Sequence, residues 1–300
     1  MKSRRKTVLK VLAAAAGVLL LAAACSNIFG DGDNGVLSLS ITDAPIDADN
    51  VDGVFITFEE IQYHRNGQWE TFDEFEGPRT IDVLALSGGE SELLGEFSLP
   101  AGNYTQVRFM LGIGELGAGN EGSYISFNDG TEDKPLFVPS GEQSGYKAQG
   151  VFSVPSNGSV SVTADFDLRR AVVETGDGDY ILRPVIRLVV DGQAGSIRGT
   201  VDGTAEGSSY VVFAYESGEY DDSETAEPDG GESRFPNSVT SSPVEDGEYT
   251  LAFLAEGTYD LVLAEYDNEG DIRENAVVVA ATDVEVESGE VTTENLDVSD

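Results

Sequence analysis

The segment that decides the fold is Gln62-Tyr-His-Arg-Asn-Gly-Gln-Trp-Glu-Thr71. Its centre, Asn66-Gly67, supplies two residues that accept the positive φ angles of a tight hairpin turn. Residues 62–65 and 68–71 flank this pair with side chains that suit strands, so the segment carries the strongest short-range signal of a β-hairpin. We therefore predict two antiparallel strands joined at Asn66-Gly67.

Alternation of apolar and polar residues extends this β-pattern along the chain. Leu37, Leu39 and Ile41 share one face of a predicted strand, while Ser38 and Ser40 share the other. Further strands are predicted at 54–58, 104–110, 124–127, 136–138, 151–154, 160–166, 181–190, 196–201, 210–215, 249–253, 259–266, 276–280 and 291–298. A helical turn is predicted within 83–94. The acidic segment 216–237 is poor in aliphatic residues and is predicted to be an exposed, mobile loop. The pattern predicts an all-β fold, with two antiparallel β-sandwich domains in tandem after a cleaved signal peptide.

Cys25 is the only cysteine in the chain, and it follows a segment with the order of an export signal. A basic start is followed by an apolar run at 11–21 and by three alanines at 22–24. This arrangement resembles a bacterial lipoprotein signal, in which the cysteine is acylated and becomes the new N-terminus. The alternatives are an ordinary cleaved signal peptide, or a transmembrane anchor, for which the apolar run is shorter than the ~20 residues required.

These features predict four segments. Residues 1–24 form the signal peptide, and 25–34 form a short polar tether with little apolar character. Residues 35–190 form the first domain. The composition shifts at the glycine-containing segment 191–195, and residues 195–298 form the second domain.

The charge of the chain excludes one class of partner. It has 55 acidic residues against 17 lysines and arginines, a net charge of −38, and removal of the five basic residues in 1–24 brings this to −43. Because nucleic-acid affinity depends on cations that neutralise phosphates, we predict no nucleic-acid partner. Self-repulsion of this size is screened at high salt, so the composition favours a salt-adapted, halophilic source. A cationic ligand is the alternative explanation.

Several separated motifs in the first domain carry a resemblance to a known family. They are Leu37-Ser-Leu-Ser-Ile-Thr-Asp-Ala-Pro45, Leu99-Pro-Ala-Gly-Asn-Tyr-Thr-Gln-Val-Arg108, Asp165-Phe-Asp167 and Tyr180-Ile-Leu-Arg-Pro-Val-Ile-Arg187. This part resembles a family of domains of unknown function that recurs in prokaryotic surface lipoproteins. The resemblance implies an all-β envelope domain and implies no activity.

The second domain resembles a different kind of sandwich. Its motifs are Gly199-Thr-Val201, Val244-Glu-Asp-Gly-Glu-Tyr-Thr-Leu251, Leu254-Ala-Glu-Gly-Thr-Tyr-Asp-Leu261 and a hairpin at 284–298. They are similar to the transthyretin-like, carboxypeptidase-regulatory type of β-sandwich. The resemblance implies a spacer or a binding accessory rather than a catalyst.

The inventory of reactive side chains argues against the usual enzymes. His64 is the only histidine, and a hairpin histidine is a poor candidate for the base that a serine hydrolase needs. One histidine and one acylated cysteine cannot build an ordinary zinc site. Asp165 and Asp167 share one face of a predicted strand and are candidates for the paired carboxylates of a carbohydrate-active enzyme. Because acidic residues are abundant, we interpret this pair as part of a solvated face.

Calcium is the cofactor that the sequence motivates best, because hard cations bind six to eight oxygen ligands from flexible acidic loops. The candidate ligands are Asp43, Asp47, Asp49 and Asp52 in one loop, and Asp177 and Asp179 in another. Neither loop has the spacing of a known calcium loop, so the sequence predicts no resident cofactor and leaves calcium as an alternative.

Three aromatic residues around the hairpin have two interpretations. Tyr63, Trp69 and Phe72 could form a platform on which a sugar stacks, or they could pack across strands. We favour packing in the core.

Together these features predict an extracytoplasmic protein, anchored by acyl chains on Cys25 to the outer membrane or cell surface. We expect it to bind or space a surface glycan or protein without catalysis. A calcium-dependent adhesion module is the first alternative, and a carbohydrate-active enzyme is a more distant one.

Overall fold

A computed structural model describes residues 33–44, 50–112, 122–139, 144–226, 233–267 and 272–298. Strands dominate these residues, and the prediction of an all-β fold is confirmed. Within the described ranges, none of the helices has the length and hydropathy of a membrane-spanning segment.

The first half of the described chain contributes one continuous sheet. Its strands are β1 (Asn34–Ala44), β2 (Val51–Arg65), β3 (Gln68–Thr71), β4 (Arg79–Asp82), β5 (Glu92–Pro100), β6 (Gly102–Gly112), β7 (Tyr124–Phe127), β8 (Lys134–Phe137), β9 (Tyr146–Val154), β10 (Ser159–Asp167), β11 (Val172–Glu174), β12 (Tyr180–Leu182) and β13 (Ile186–Val190). Within the described residues their order is β11-β12-β8-β7-β2-β6-β9-β13-β10-β1-β5, and β3 and β4 pair with β2.

The predicted hairpin is present. β2 and β3 pair antiparallel around Asn66-Gly67, whose φ angles are 51° and 81°. The sheet as a whole is mixed, because β1 runs parallel to β10 and β12 runs parallel to β8. These parallel pairs join strands that are distant in the sequence, so the alternation that predicts a strand does not reveal its direction.

Aromatic side chains fill the core of the first half. Phe166 of β10 stacks on Tyr146 of β9 with ring centroids 5.4 Å apart, and it meets Phe58 and Phe109 edge-on or tilted, each at 6.1 Å. All four rings are buried. Because buried aromatic pairs contribute stability beyond their area, this cluster fixes β2, β6, β9 and β10 against one another.

The second half contains two four-stranded sheets within the described residues. Its strands are β14 (Ala194–Asp202), β15 (Ser209–Glu216), β16 (Thr240–Pro243), β17 (Glu248–Ala255), β18 (Gly257–Tyr266), β19 (Ile272–Val286), β20 (Val291–Thr293) and β21 (Leu296–Asp297). One sheet has the order β17-β14-β20, with β21 also paired to β14, and the other has the order β16-β15-β18-β19. A core that includes Ile197, Leu251 and Leu261 lies between them.

The other face of the β15–β18 sheet is also covered, and this corrects one prediction. Phe235 is fully buried against Phe213, with ring centroids 4.2 Å apart, and Tyr220 contacts Tyr215. The predicted exposed loop at 216–237 therefore includes residues that pack on the sheet. The segment contains few aliphatic residues, but its aromatic rings supply the apolar surface that packs on the sheet. Residues 227–232 of that loop lie outside the described ranges.

Within the part of the chain that the structure describes, helical structure is confined to short turns. A 3₁₀ turn at Leu84–Leu86 lies inside the predicted helical segment. The predicted strand 181–190 is divided into β12 and β13 around Pro184, since proline cannot donate a ladder hydrogen bond. A short helix, α1 (Leu168–Ala171), follows β10 directly, and its position governs the site described next.

Candidate functional site

Asp165 and Asp167 lie on the face of β10 opposite the core residues Val162, Ala164 and Phe166. Both aspartates are nevertheless buried, with 6% of their surface exposed. The interpretation of this pair as a solvated face is therefore wrong. The second half of the chain covers this end of the sheet, and nothing in the local alternation predicts that cover.

Three arginines neutralise the two carboxylates. Arg187 of β13 contacts Asp165 Oδ2 through Nη2 at 2.6 Å and through Nε at 2.8 Å. Arg170 Nε lies 2.5 Å and Arg169 Nη2 3.2 Å from Asp167 Oδ2. Asp167 also caps α1, because its Oδ1 accepts a hydrogen bond from the Arg170 backbone N–H. We call these five residues the interdomain charge cluster.

The three guanidinium groups also reach the second half of the chain. Arg169 Nη1 donates to the carbonyl oxygen of Phe235 at 3.1 Å and to Ser238 Oγ at 2.7 Å. Its guanidinium carbon lies 5.3 Å from the centre of the Phe213 ring. Arg170 and Arg187 donate to the carbonyl oxygens of Pro236 and Phe253, at 2.8 and 3.1 Å. Each arginine thus joins a carboxylate of the first half to the backbone of the second.

Burial and these arginines act in opposite directions on the two aspartates. Burial raises the pKa of Asp165 above its ordinary value, despite the opposing charge of Arg187. Burial also acts to raise the pKa of Asp167, but the charges of Arg169 and Arg170 outweigh it and hold this pKa below the ordinary value. A pair engaged in this way does not present two free carboxyl groups across an open cleft, as glycoside hydrolysis requires.

Asp43 lies at the end of β1 and faces the core, beside this cluster. Its Oδ1 accepts a hydrogen bond from the Leu168 backbone N–H at 3.1 Å, and its buried Oδ2 has no hydrogen-bond partner among the described residues. Burial raises the pKa of Asp43 well above its ordinary value, and the negative charges of Asp167 and Asp165 act in the same direction. Asp43 is therefore a buried acid with one carboxylate oxygen left without a hydrogen bond, rather than a solvated loop ligand.

We expect Asp43→Asn to stabilise the protein at alkaline pH. Because the folded-state pKa of Asp43 is raised, its contribution to stability is greatest below the ordinary aspartate pKa of about 4 and is lost as pH rises through the folded-state pKa. Asparagine keeps the acceptor for Leu168 and removes this loss, a gain of about 1–2 kcal/mol at about pH 8. This gain is measured as the difference in the free energy of unfolding between the variant and the parent chain, from urea unfolding at acid and at alkaline pH and at constant ionic strength.

Asp52→Asn is the matched control, since Asp52 is exposed and the change removes the same charge. Equal pH dependence of the two variants would contradict the buried position of Asp43.

The predicted calcium ligands do not assemble in the described part of the chain. Asp47 and Asp49 lie outside it. Asp177 is exposed, and Asp179 belongs to the turn between β11 and β12, where its backbone N–H donates to Thr175 Oγ1. Among the described residues no group of three or more histidine, cysteine or acidic side chains could hold a metal ion. Cys25 also lies outside these residues, so its lipidation stays a prediction.

The hairpin aromatics divide between the two faces of the sheet. Tyr63 and Phe72 are buried and touch, with ring centroids 4.9 Å apart, so the prediction of core packing is confirmed for them. Trp69 is only half-buried and lies on the outer face opposite His64, with ring centroids 5.1 Å apart. The Arg108 guanidinium lies 4.3 Å and the Lys147 ammonium 6.0 Å from the centre of the Trp69 ring. The prediction of core packing is wrong for Trp69, because strand alternation places it beside His64 rather than Tyr63.

The comparisons with known proteins identify the first half only. Residues 34–184 match a family described as a domain of unknown function (DUF4382). No curated protein matches the chain.

The solved structures that match the chain align with most of its length, but their sequence identity and structural similarity to it are low. A leucine-rich repeat protein from Bacteroides thetaiotaomicron is 13% identical, with a TM-score of 0.21, over 89% of this chain and 26% of its own length. The minor pilin GBS52 of Streptococcus agalactiae is 12% identical over 87% of this chain and 94% of its own, with a TM-score of 0.19. A Bacteroides ovatus protein described as a cell adhesion protein is 12% identical over 88% and 92%, with a TM-score of 0.22. TM-scores this low do not establish a shared overall fold.

Proposed function

The chain belongs to the family described as a domain of unknown function (DUF4382), and on that premise we propose that it is a lipid-anchored envelope protein that binds a surface glycan or protein without catalysis. Acyl chains on Cys25 hold the N-terminus at the outer membrane or cell surface, and residues 25–34 form the tether. More than one acyl chain is needed, because a single chain gives only marginal membrane affinity.

The interdomain charge cluster is the observation that carries this proposal. The paired carboxylates with the best claim to hydrolytic chemistry, Asp165 and Asp167, are buried in ion pairs with arginines. The same arginines donate to backbone carbonyls of the second half. Because these charged groups hold the two halves of the chain together, they favour a rigid body. Such a body can present a binding surface away from the membrane.

The second half is proposed to be a transthyretin-like, carboxypeptidase-regulatory-like sandwich. Two facing sheets over one core support this assignment. Asp246 and Gly247 have φ angles of 51° and 79° in the turn before β17, as the sequence motif requires. The tyrosines that follow the two turns, Tyr249 and Tyr259, are both buried. Such a module supplements the binding of the first half.

Cys25→Ser should release the protein from membranes, because serine provides no thiol for the thioether to the lipid. The measurement is fractionation of cells that express the full chain, followed by immunoblotting of the membrane and soluble fractions. Ser26→Ala changes the neighbouring side chain, keeps the thiol and is the matched control. Retention of the Cys25→Ser protein in the membrane fraction would overturn the anchor.

Binding is tested separately on arrays of surface glycans and envelope proteins, with the purified full chain as the probe. Saturable binding to one ligand class supports the proposal. A complete absence of saturable binding would leave only the role of a spacer and would overturn the binding module.

A further inference from the structure

The outer face of the first sheet is covered by the second half at one end and open at the other. Register pairs Asp165 with Arg187, Arg187 with Gln149, and Gln149 with Gln106, so these residues form one row across β10, β13, β9 and β6. The interdomain charge cluster occupies the β10–β13 end of that row. Gln106 is half-buried and Gln149 is exposed.

A neighbouring row on the same face has a distinct composition. Thr71, Gln62, Arg108 and Lys147 are successive cross-strand partners on β3, β2, β6 and β9. Arg108 Nε donates to Gln62 Oε1, which orients the guanidinium beside the Trp69 ring. We call the six residues of this open end the Trp69 platform, namely Gln62, His64, Trp69, Gln106, Arg108 and Lys147.

Charge sets this platform apart from the rest of the molecule. After residue 24 the chain holds 12 lysines and arginines against 55 acids. Arg79, Arg169, Arg170, Arg187 and Arg273 form ion pairs with carboxylates. Arg108 and Lys147 form no such pair within the described residues, as is also true of Arg65, Lys134 and Arg198, but they alone among these cations lie over the ring of Trp69. Two cations and an indole on the outer face of the sheet suit a ligand that combines an anionic group with apolar C–H surface.

We propose that the Trp69 platform binds an acidic saccharide, with a carboxylate between Arg108 and Lys147 and a sugar ring packed beside the indole. The inference rests on the proposed binding function and names its site and ligand class. The amide of Gln62 is already hydrogen-bonded to Arg108 and Glu60, so the amide of Gln106 supplies the donors and the acceptor that sugar hydroxyls need. Guanidinium groups favour carboxylates. The large negative charge elsewhere repels long polyanions. The ligand therefore carries isolated carboxylates between neutral sugars.

The sole tryptophan makes the test direct, because its emission reports from the platform alone. The probe is a xylotriose that carries one glucuronate, titrated into the purified full chain. Its partner probe is the same oligosaccharide with the carboxylate reduced to an alcohol. We expect a saturable change in Trp69 emission with the acidic probe and binding at least about tenfold weaker with the reduced one, which corresponds to about 1.4 kcal/mol.

Lys147→Gln should weaken the acidic probe by a similar factor and leave the reduced probe unchanged. Lys134→Gln is the matched control, since Lys134 is the only other lysine after residue 24 and lies on β8. Equal affinities for the two probes, an equal response to a short oligoglutamate peptide, or equal effects of the two lysine variants would each overturn the inference. Array binding that survives both Trp69→Ala and Lys147→Gln would overturn this site while the proposed binding function stands.

Discussion

Arg169→Met should lower the free energy of unfolding by about 3 kcal/mol, at the low end of the range for a broken buried ion pair. Methionine provides an apolar side chain in place of the guanidinium beside Phe213 but removes every donor to Phe235 and Ser238. The loss stays at the low end because Asp167 retains its contact with Arg170. The side chain of Arg169 is almost fully buried, so solvent cannot replace the missing contacts.

The variant should also uncouple the two halves. Trp69 emission follows unfolding of the first half in urea, and hydrogen exchange of the β15 amides follows the second. In the parent chain we expect the two midpoints to coincide, and in Arg169→Met we expect them to separate. Arg79→Met is the matched control, because the exposed pair of Arg79 with Glu92 contributes at most about 1 kcal/mol. Equal losses in the two variants would show that Arg169 is not an interdomain anchor.

This coupling could not be predicted from the sequence, although most strands could. The Asn66-Gly67 hairpin and the alternation at Leu37, Leu39 and Ile41 are local signals, and the structure follows them. The partners of Arg169 and Arg170 lie 66 residues further along the chain, and the groups that accept are mostly backbone carbonyls. Every residue has a backbone carbonyl, so the sequence does not reveal which carbonyls accept from these arginines. Without that information, the sequence predicts a solvated position for Asp165 and Asp167.

Two elements of the second half were hidden for related reasons. β16 (Thr240–Pro243) contains two serines and no aliphatic residue, so it has no apolar pattern. Three of its residues are nevertheless buried, and the strand pairs with β15 at the edge of the sheet. Phe235 has a φ of 53°, and it is buried because the backbone turns there and directs its ring onto Phe213. Neither feature produces a periodic pattern.

The Trp69 platform was partly visible in the sequence. The hairpin brings the aromatic residues together, and strand alternation separates Tyr63 from His64, the residue that Trp69 faces. The prediction of core packing overlooks this alternation for Trp69, which lies on the outer face. Arg108 and Lys147 lie beside Trp69 because β2 pairs with β6 and β6 pairs with β9. Gln62 and Arg108 are 46 residues apart in the chain, and the register between strands so far apart is set by the whole sheet.

Gly199→Ala should destabilise the second half by about 3 kcal/mol, at the upper end of what overpacking of a core costs. A Cβ atom on Gly199 would overlap the carbonyl oxygen of Glu294 and would stand 3.1 Å from the Tyr249 ring. That carbonyl accepts the hydrogen bond of the buried Tyr249 hydroxyl at 2.8 Å. The backbone of Glu294 also donates to Arg198 at 2.9 Å, so neither partner can move without a lost bond.

The clash falls where β20 and β21 join the sheet through β14. Displacement of Glu294 would weaken the pairing of Val201 with Leu296, whose buried side chain helps to close the core. Urea unfolding gives the loss of stability, and hydrogen exchange should increase first in residues 291–298. Gly192→Ala is the matched control, because Gly192 has open space around it and its φ is not positive. Unfolding midpoints that agree between the two variants would contradict the close approach of the C-terminal strands to β14. Exchange that increases equally in β15 would show instead that the two sheets of the second half unfold as one unit.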